Sequence, residues 1–167
     1  MMIIKKLTIK SIDHIIDLQK RSIQNGDDFI SSSIEVYQRA FQFQNFVFGI
    51  SSDEDELLAF CNCSIPTAAS KINLGRGIID EEYLNNVGHI NTIIVERSWR
   101  KKGMGKKLIQ TVLNEFTQKG IRHIFVIVSP NNQASLLLFQ SMGFCIIKNF
   151  LYKGYSRNLL QLNLMSI

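Results

Sequence analysis

The second half of the chain alternates between strand-like and helix-like segments, and this alternation limits the fold more than any other feature. Residues 89–95 are largely apolar, and residues 103–119 place apolar side chains at helical spacing until Gly120 ends the pattern. Residues 121–128 are again largely apolar, which is typical of a strand buried on both faces. The order strand, helix, buried strand predicts an α/β sheet.

The remaining segments extend the predicted order to β-α-α-β-β-loop-β-α-β-α-β-β. Ser11 and Ser33 are plausible helix N-caps, since serine hydroxyls accept hydrogen bonds from free N–H groups at helix starts. The further predicted strands span residues 2–10, 46–51, 57–65, 144–151 and 158–164, and the further helices end near residues 24, 43 and 142. We therefore predict one domain over residues 1–167, with a mixed, mostly antiparallel sheet of six to seven strands flanked by helices.

Residues 66–86 form the least periodic part of the chain and contain three consecutive acids, Asp80 to Glu82. A loop of this length in a compact domain is usually either functional or disordered.

The acids of this loop belong to a wider asymmetry of charge between the two halves of the chain. Residues 1–86 hold 8 Lys/Arg and 12 Asp/Glu, a balance of −4, whereas residues 87–167 hold 11 Lys/Arg and 2 Asp/Glu, a balance of +9. The second half therefore suits an anionic ligand and the first half a cation such as an amine.

The cysteines and the apolar runs bear on the compartment. Cys61 and Cys63 would share one strand face, Cys145 stands alone, and no spacing matches a zinc site. We expect all three to be small buried hydrophobic residues and the protein to be cytoplasmic and free of metal. The sequence contains no apolar run of about 20 residues and no secretory h-region, so neither membrane association nor secretion is expected.

The segment from Arg100 to Lys107 contains five cationic side chains and two glycines between a strand and an amphipathic helix. The first N–H groups of a helix lack internal partners and the helix dipole favours negative charge there, so this turn predicts an anion site. A pyrophosphate is the natural ligand. The P-loop pattern is absent, and Leu108 stands where a dinucleotide-binding fingerprint requires its third glycine.

Two motifs in this region resemble those of the GNAT N-acetyltransferases. The first is Arg100-x-x-Gly103-x-Gly105, preceded by Val95 and Trp99, with Arg97 in place of the usual proline. The second reads Asn132-x-x-Ser135-x-x-Leu138-Phe139-x-x-x-Gly143-Phe144. Residues 89–145 carry the close resemblance, and the first half of the chain resembles the family in its element order alone.

The resemblance implies an acetyl-CoA donor and a sheet that splays in the middle to admit the pantetheine arm. It assigns cofactor binding to Ile94, Val95, Arg100, Lys101, Lys102, Gly103, Met104, Gly105, Lys106, Asn132, Ser135 and Phe139. On this basis, residues 89–145 form the cofactor-binding core, and residues 11–45 together with the loop 66–86 lie on the acceptor side.

The family reaction is a direct attack of an amine on the thioester, which requires a proton acceptor and a route for protonating the leaving thiolate. His89 is the first candidate base, because some family members place a catalytic carboxylate at its position, and Glu96 is the second. Water relays without a single base are the remaining alternative. Phe139 replaces the tyrosine that usually acts as the acid, so this role is either vacant or moved, with Tyr152, Tyr155 and Ser141 as the candidates.

Three functions of different class follow from these features. The first is acetylation of a small primary amine, which the acidic first half and loop favour. The second is acetylation of a protein or peptide, although residues 126–129 lack the glutamate that many such enzymes carry on this strand. The third is a non-catalytic acyl-CoA-binding or tRNA-directed protein; interleaved aromatic residues for stacking on RNA are missing, so no nucleic-acid partner is expected. A homodimer is a further expectation from the family.

Overall fold

The computed structural model describes residues 2–28 and 31–164, and its elements follow the predicted order. The strands are β1 (Ile3–Lys6), β2 (Phe46–Ser51), β3 (Leu57–Ser64), β4 (Val87–Val95), β5 (His123–Val128), β6 (Cys145–Tyr152) and β7 (Tyr155–Asn163). The α-helices are α1 (Ile12–Gln24), α2 (Ile34–Arg39), α3 (Met104–Gln118) and α4 (Gln133–Ser141). Short 3₁₀ helices span Ile9–Ser11, Glu81–Asn86 and Arg97–Trp99.

The strands form one seven-stranded sheet in the order β1-β2-β3-β4-β5-β7-β6. Strand β4 pairs with β5 in parallel, whereas β1 with β2, β2 with β3, β5 with β7 and β6 with β7 are antiparallel. The predicted α/β fold with a mixed, mostly antiparallel sheet is therefore confirmed. The ladder between β4 and β5 joins Val87–Ile90 to His123–Val126, and β4 then continues to Val95.

Two predicted elements are longer than the elements that form. The strand predicted over residues 2–10 ends at Lys6, because the chain turns into the 3₁₀ helix Ile9–Ser11, closed by a bond from the Ser11 N–H to the Thr8 carbonyl at 2.8 Å. The helix predicted to reach about residue 43 ends at Arg39, because the next N–H groups, of Phe41 and Gln42, bond three residues back to the carbonyls of Gln38 and Arg39, and Phe43 then adopts a left-handed φ of 56°. Ser11 and Ser33 stand at the predicted N-caps, but neither side chain makes a capping bond.

The chain divides into two compact units, the first comprising residues 1–63 and 92–112. Its core is an apolar cluster to which α1 contributes Ile15 and Leu18, and β2, β3 and β4 contribute Val47, Phe60 and Ile94. The helical spacing of the α1 residues places them on one buried face. The core therefore fixes the end of β4, which leads into the basic turn.

The second unit comprises residues 64–91 and 113–167. Val87, Phe125 and Leu159 form a buried cluster across β4, β5 and β7. Gly88 lies so close to Phe116 that a Cβ added at Gly88 would stand 2.5 Å from the Phe116 Cε1 atom. Thus this strand position requires a residue without a side chain.

The loop 66–86 is ordered by side chains that bond to its own backbone. The buried Asn73 donates to the Thr67 and Leu84 carbonyls at 3.1 and 2.9 Å and accepts from the Gly75 N–H at 3.0 Å. Arg76 donates to the Ala68 carbonyl at 2.7 Å. The acids Asp80 to Glu82 are exposed at its end. The loop thus has a definite structure that its own side chains stabilise.

Cys61 and Cys63 are buried as expected, with their Sγ atoms 3.8 Å apart on one face of β3. The expectation was wrong for Cys145, which is exposed because it opens the solvent-facing edge strand β6. No described helix combines the length and apolar character that a membrane span requires. Within the same residues no cluster of three or more histidine, cysteine or acidic side chains forms a candidate metal site.

Candidate active site

The basic turn between β4 and α3 has a defined backbone conformation. The 3₁₀ helix Arg97–Trp99 follows β4 and is capped by Glu96, whose carboxylate accepts from the Ser98 N–H at 2.8 Å. Lys101 and Gly103 then adopt left-handed φ values of 59° and 80°. Helix α3 starts directly afterwards, so the two reversals direct the chain into the helix.

This turn presents the predicted anion-binding groups. Helix α3 has 15 residues, and the N–H groups at its start have no partner within the helix. Lys101, Lys102, Lys106 and Lys107 are exposed around them, while Met104 is buried and anchors the first helical turn. The Lys102 ammonium lies 4.5 Å from the centre of the Trp99 ring. Helix dipole and lysine charges thus act in the same direction on an anion.

Arg100 has a different environment from the lysines. Its guanidinium donates from Nε to the Val95 carbonyl at 3.0 Å and forms two bonds with Asp27, of which the one from Nη1 to Oδ1 measures 2.9 Å. The hydrogen bond from Arg100 lowers the pKa of Asp27, and Asp27 raises the pKa of Arg100. The signature arginine is therefore held by protein groups, and its side chain acts within the turn.

Ile94 and Val95 take different positions at the end of β4. The Ile94 side chain is only 4% exposed and belongs to the core of the first unit. Val95 is half-buried and its carbonyl accepts from Arg100. Because the β4–β5 ladder ends at Ile90, the backbone groups of these two residues are not part of it. This arrangement suits a strand end that binds an extended ligand through its backbone.

The second motif lies in the other unit and forms the start of α4. The side-chain oxygen Oδ1 of Asn132 accepts from the Ser135 N–H at 3.1 Å, which caps the helix. Phe139 is 1% exposed and packs edge-to-face against Phe144, with ring centres 5.2 Å apart. The motif residues thus have structural roles within α4, and Phe139 is enclosed by protein rather than presented to a ligand.

His89, the first candidate base, is buried, with 5% of its surface exposed. Its Nε2 atom accepts a hydrogen bond from the Leu74 N–H at 3.0 Å, so that nitrogen carries no proton. Burial lowers the pKa of His89 from 6.5 to about 4. A weakly basic imidazole with its lone pair already engaged is a poor proton acceptor. The geometry therefore favours a structural role, in which His89 fixes the loop 66–86.

This environment predicts a pH-dependent stability. The unfolded chain takes up a proton at His89 near pH 6.5 and the native protein only near pH 4, so acidification between these values favours unfolding. We expect a loss of about 3 kcal/mol in the free energy of unfolding across this window. His89→Gln, whose side-chain oxygen can accept from Leu74, is expected to remove this part of the dependence in urea titrations at pH 7, 5.5 and 4.5.

The exposed His14 on α1 supplies the matched control, His14→Gln, which is measured at the same three pH values. The kcat of His89→Gln distinguishes a structural role of His89 from a role as general base. A structural role predicts that His89→Gln keeps kcat within about threefold at pH 8, whereas a general base contributes typically 10²- to 10⁴-fold. A loss of that size in a folded variant would contradict the structural assignment.

The other two candidates for proton transfer lie apart from one another in the chain. The Glu96 carboxylate accepts from both the Ser98 N–H and its hydroxyl, and these bonds lower the pKa of Glu96, which weakens it as a base. Tyr152 ends β6, where its half-buried ring contacts Phe150 edge-to-face. Both catalytic roles remain predictions.

Sequence reasoning missed two polar groups that the first unit places beside its candidate residues. Asp27 lies just after the predicted helix end near residue 24, and its pairing with Arg100 leaves no trace in sequence spacing, because the two residues are far apart in the chain. Tyr37 is fully buried; its hydroxyl donates to Gln19 at 2.6 Å and bonds to Thr92 of β4, and burial raises its pKa to about 12. A tyrosine within an amphipathic helix is indistinguishable from a core residue at the sequence level.

Comparison with known proteins gives a family for most of the chain. Residues 12–144 match the sequence profile of the Acetyltransferase (GNAT) family. Among curated proteins, [Ribosomal protein bS18]-alanine N-acetyltransferase of Escherichia coli (strain K12) is 25% identical over 67 residues, which cover 40% of this chain and 41% of that enzyme. The matched segment thus spans less than half the length of this relative.

Solved structures resemble the chain over nearly its whole length. Arabidopsis thaliana NAA60 in complex with acetyl-CoA gives a TM-score of 0.77 at 16% identity, with 98% of both chains covered. The ribosomal-protein-S18-alanine N-acetyltransferase from Escherichia coli gives a TM-score of 0.76 at 14% identity, covering 100% of this chain and 96% of that one. At these identities the similarity concerns the fold.

Proposed function

The chain belongs to the GNAT acetyltransferase family and is thus an acyltransferase, and we propose that it transfers the acetyl group of acetyl-CoA to a primary amine. One observation carries the choice of donor. The turn before α3 combines left-handed Lys101 and Gly103, free helix N–H groups and four exposed lysines. This set of donors and charges fits a pyrophosphate such as the one in coenzyme A.

The backbone of this turn would bind the pyrophosphate. The N–H groups of Met104, Gly105 and Lys106 point out of the helix start, and the exposed lysines supply charge. Gly103, at a φ of 80° with no heavy atom within 4 Å of an added Cβ, leaves the approach to these groups open. Ile94 and Val95 would bind the pantetheine arm through their backbone groups, and Asn132 and Ser135 keep the cofactor role that the family resemblance gives them.

The proposed reaction forms a nitrogen–carbon bond and breaks a carbon–sulfur bond. The neutral amine attacks the thioester carbonyl, the coenzyme A thiolate leaves, and the nitrogen gives up one proton while the thiolate takes one. With His89 engaged by Leu74 and Phe139 lacking a hydroxyl, Tyr152 is the proposed donor to the thiolate. Water is the proposed first acceptor of the amine proton, with the Glu96 carboxylate as the alternative.

A small cationic amine is the proposed acceptor class. The exposed acids Asp80 to Glu82 end a loop whose backbone is held by Asn73, so the backbone that carries these charges is ordered. Their negative charge raises the local concentration of a cationic acceptor. The three free cysteines support the proposed cytoplasmic location, and a homodimer remains a prediction.

A protein N-terminus is the second candidate acceptor. The segment shared with the bS18-alanine N-acetyltransferase favours it, since that relative acts on a protein alanine. An N-terminal amine and a small amine make the same chemical demand at the thioester, so the two candidates differ in what surrounds the acceptor nitrogen.

The test is a thiol-release assay with acetyl-CoA and two acceptor panels. One panel holds polyamines, amino sugars and amino acids, and the other holds peptides that begin with alanine, serine or methionine. Turnover of cationic small amines at least tenfold above that of the peptides is the expected result. Preference for the peptides would establish the second candidate, and no amine-dependent thiol release from either panel would contradict the proposed transfer.

A further inference from the structure

The geometry points to Asp27 as a positioning residue that holds the cofactor-binding turn in shape through Arg100, an inference that rests on the proposed function. Asp27 follows the end of α1, in the connector between α1 and α2, and Arg100 follows β4. The two residues belong to the same compact unit. Their pairing therefore links the acceptor-side helices to the turn that would bind the pyrophosphate.

The contact is a two-point interaction between a guanidinium and a carboxylate. Each Asp27 oxygen accepts from a different terminal nitrogen of Arg100, and Ser22 donates a third hydrogen bond to the carboxylate. The Asp27 side chain is 22% exposed and that of Arg100 37% exposed, so the pair is partly shielded from water. Bidentate pairs of this kind fix orientation as well as distance.

Arg100 also determines how β4 leaves the sheet. Its Nε donates to the Val95 carbonyl, so the Arg100 side chain ties the start of the turn to the end of β4. Lys101, the next residue, adopts the left-handed conformation that a lysine does not favour on its own. Holding Arg100 from both sides stabilises this conformation and, with it, the direction of the free N–H groups at the start of α3.

This arrangement gives the arginine a role that differs from a direct phosphate contact. Nε, Nη1 and Nη2 all donate to protein oxygens, and the pyrophosphate is left to the turn backbone and the lysines. The two roles predict opposite effects of removing the Asp27 charge. A positioning role predicts weaker acetyl-CoA binding, because the turn loses its support. A direct phosphate contact predicts tighter binding, because the freed guanidinium gains access to the anion.

The experiment is calorimetric titration of acetyl-CoA into the wild type, Asp27→Asn, Arg100→Lys and the double variant, with melting temperatures recorded for each. We expect Asp27→Asn to raise Kd about tenfold while kcat at saturating acetyl-CoA stays within twofold. Arg100→Lys keeps the positive charge but loses the two-point geometry, so a similar rise is expected. The double variant should be no worse than either single one, since both changes remove the same interaction.

Asp13→Asn provides the matched control, because Asp13 is exposed in the first turn of the same helix α1, and its Kd should equal that of the wild type. Unchanged or tighter binding by Asp27→Asn, or additive effects in the double variant, would overturn the inference while leaving the proposed function intact. Failure of the wild type to bind acetyl-CoA would overturn both. If Asp27→Asn is too unstable for calorimetry, Ser22→Ala replaces it, because this change removes one hydrogen bond to the Asp27 carboxylate and keeps both charges of the pair. A Kd raised at least about threefold supports positioning, and unchanged or tighter binding opposes it.

Discussion

Replacing Lys106 with glutamate is expected to weaken acetyl-CoA binding about 30-fold without lowering the stability of the protein. Lys106 is exposed in the first turn of α3, beside the free N–H groups. A unit charge at about 6 Å in largely aqueous surroundings contributes about 1 kcal/mol, and the substitution changes the charge by two units, so the expected loss is about 2 kcal/mol. A glutamate in the first turn of a helix interacts favourably with the dipole, so the melting temperature should stay equal or rise slightly.

Weaker binding together with an equal or higher melting temperature would show that Lys106→Glu acts on the ligand site and not on the stability of the fold. Lys20→Glu changes the net charge equally at an exposed position on α1, and its acetyl-CoA affinity should stay within twofold of the wild type. Calorimetry gives Kd, and thermal unfolding gives stability. If Lys106→Glu bound acetyl-CoA as tightly as the wild type, the start of α3 would not be the anion site.

Gly88→Ala is expected to destabilise the protein by about 2 kcal/mol, towards the upper end of what overpacking costs. The new Cβ would lie 2.5 Å from Cε1 and 2.8 Å from Cδ1 of the fully buried Phe116 ring. Overpacking of a close-packed core costs about 1–3 kcal/mol, and the entropy that alanine recovers over glycine offsets less than about 1 kcal/mol of it. Urea unfolding at pH 7 measures the difference.

A second substitution shows whether the ring is the cause. Leucine lacks the Cε and Cζ atoms of phenylalanine, so Phe116→Leu makes space where the Gly88 Cβ would enter. The double variant should therefore be less destabilised than the sum of the two single variants, by about 1 kcal/mol or more. Additive effects would show that the close contact between Gly88 and Phe116 does not limit this strand position.

The fold was largely predictable because periodicity and helix-ending glycines lie within single elements. The helix predicted to end at Gly120 ends at Gln118, and the strand predicted over residues 46–51 forms over the same residues. Boundaries failed where a local conformation decided them, as at Phe43, whose positive φ no propensity would indicate. The family motifs and the concentration of lysines in the turn before α3 could be identified from the sequence for the same local reasons, whereas binding of an anion there remains a prediction.

The individual roles of side chains were much less predictable. His89 looked like a base because of its position on the strand, but its hydrogen bond to Leu74 depends on the path of an irregular loop. Arg100 looked like a phosphate ligand, but its partner Asp27 comes from a distant helix end. Such contacts between separate elements set pKa values and orientation, and a single sequence carries no pattern that records them.

Whether the unmodified protein binds acetyl-CoA decides whether the turn before α3 and the end of β4 form a coenzyme A site. Calorimetric titration of acetyl-CoA, desulfo-CoA and ATP under identical conditions compares the whole donor, the donor without its sulfur and an unrelated nucleotide polyphosphate. We expect micromolar binding of acetyl-CoA and desulfo-CoA and at least tenfold weaker binding of ATP, since the strand end at Ile94 and Val95 would bind the pantetheine arm that ATP lacks. Acetyl-CoA binding no tighter than that of ATP would show that this region is not a coenzyme A site.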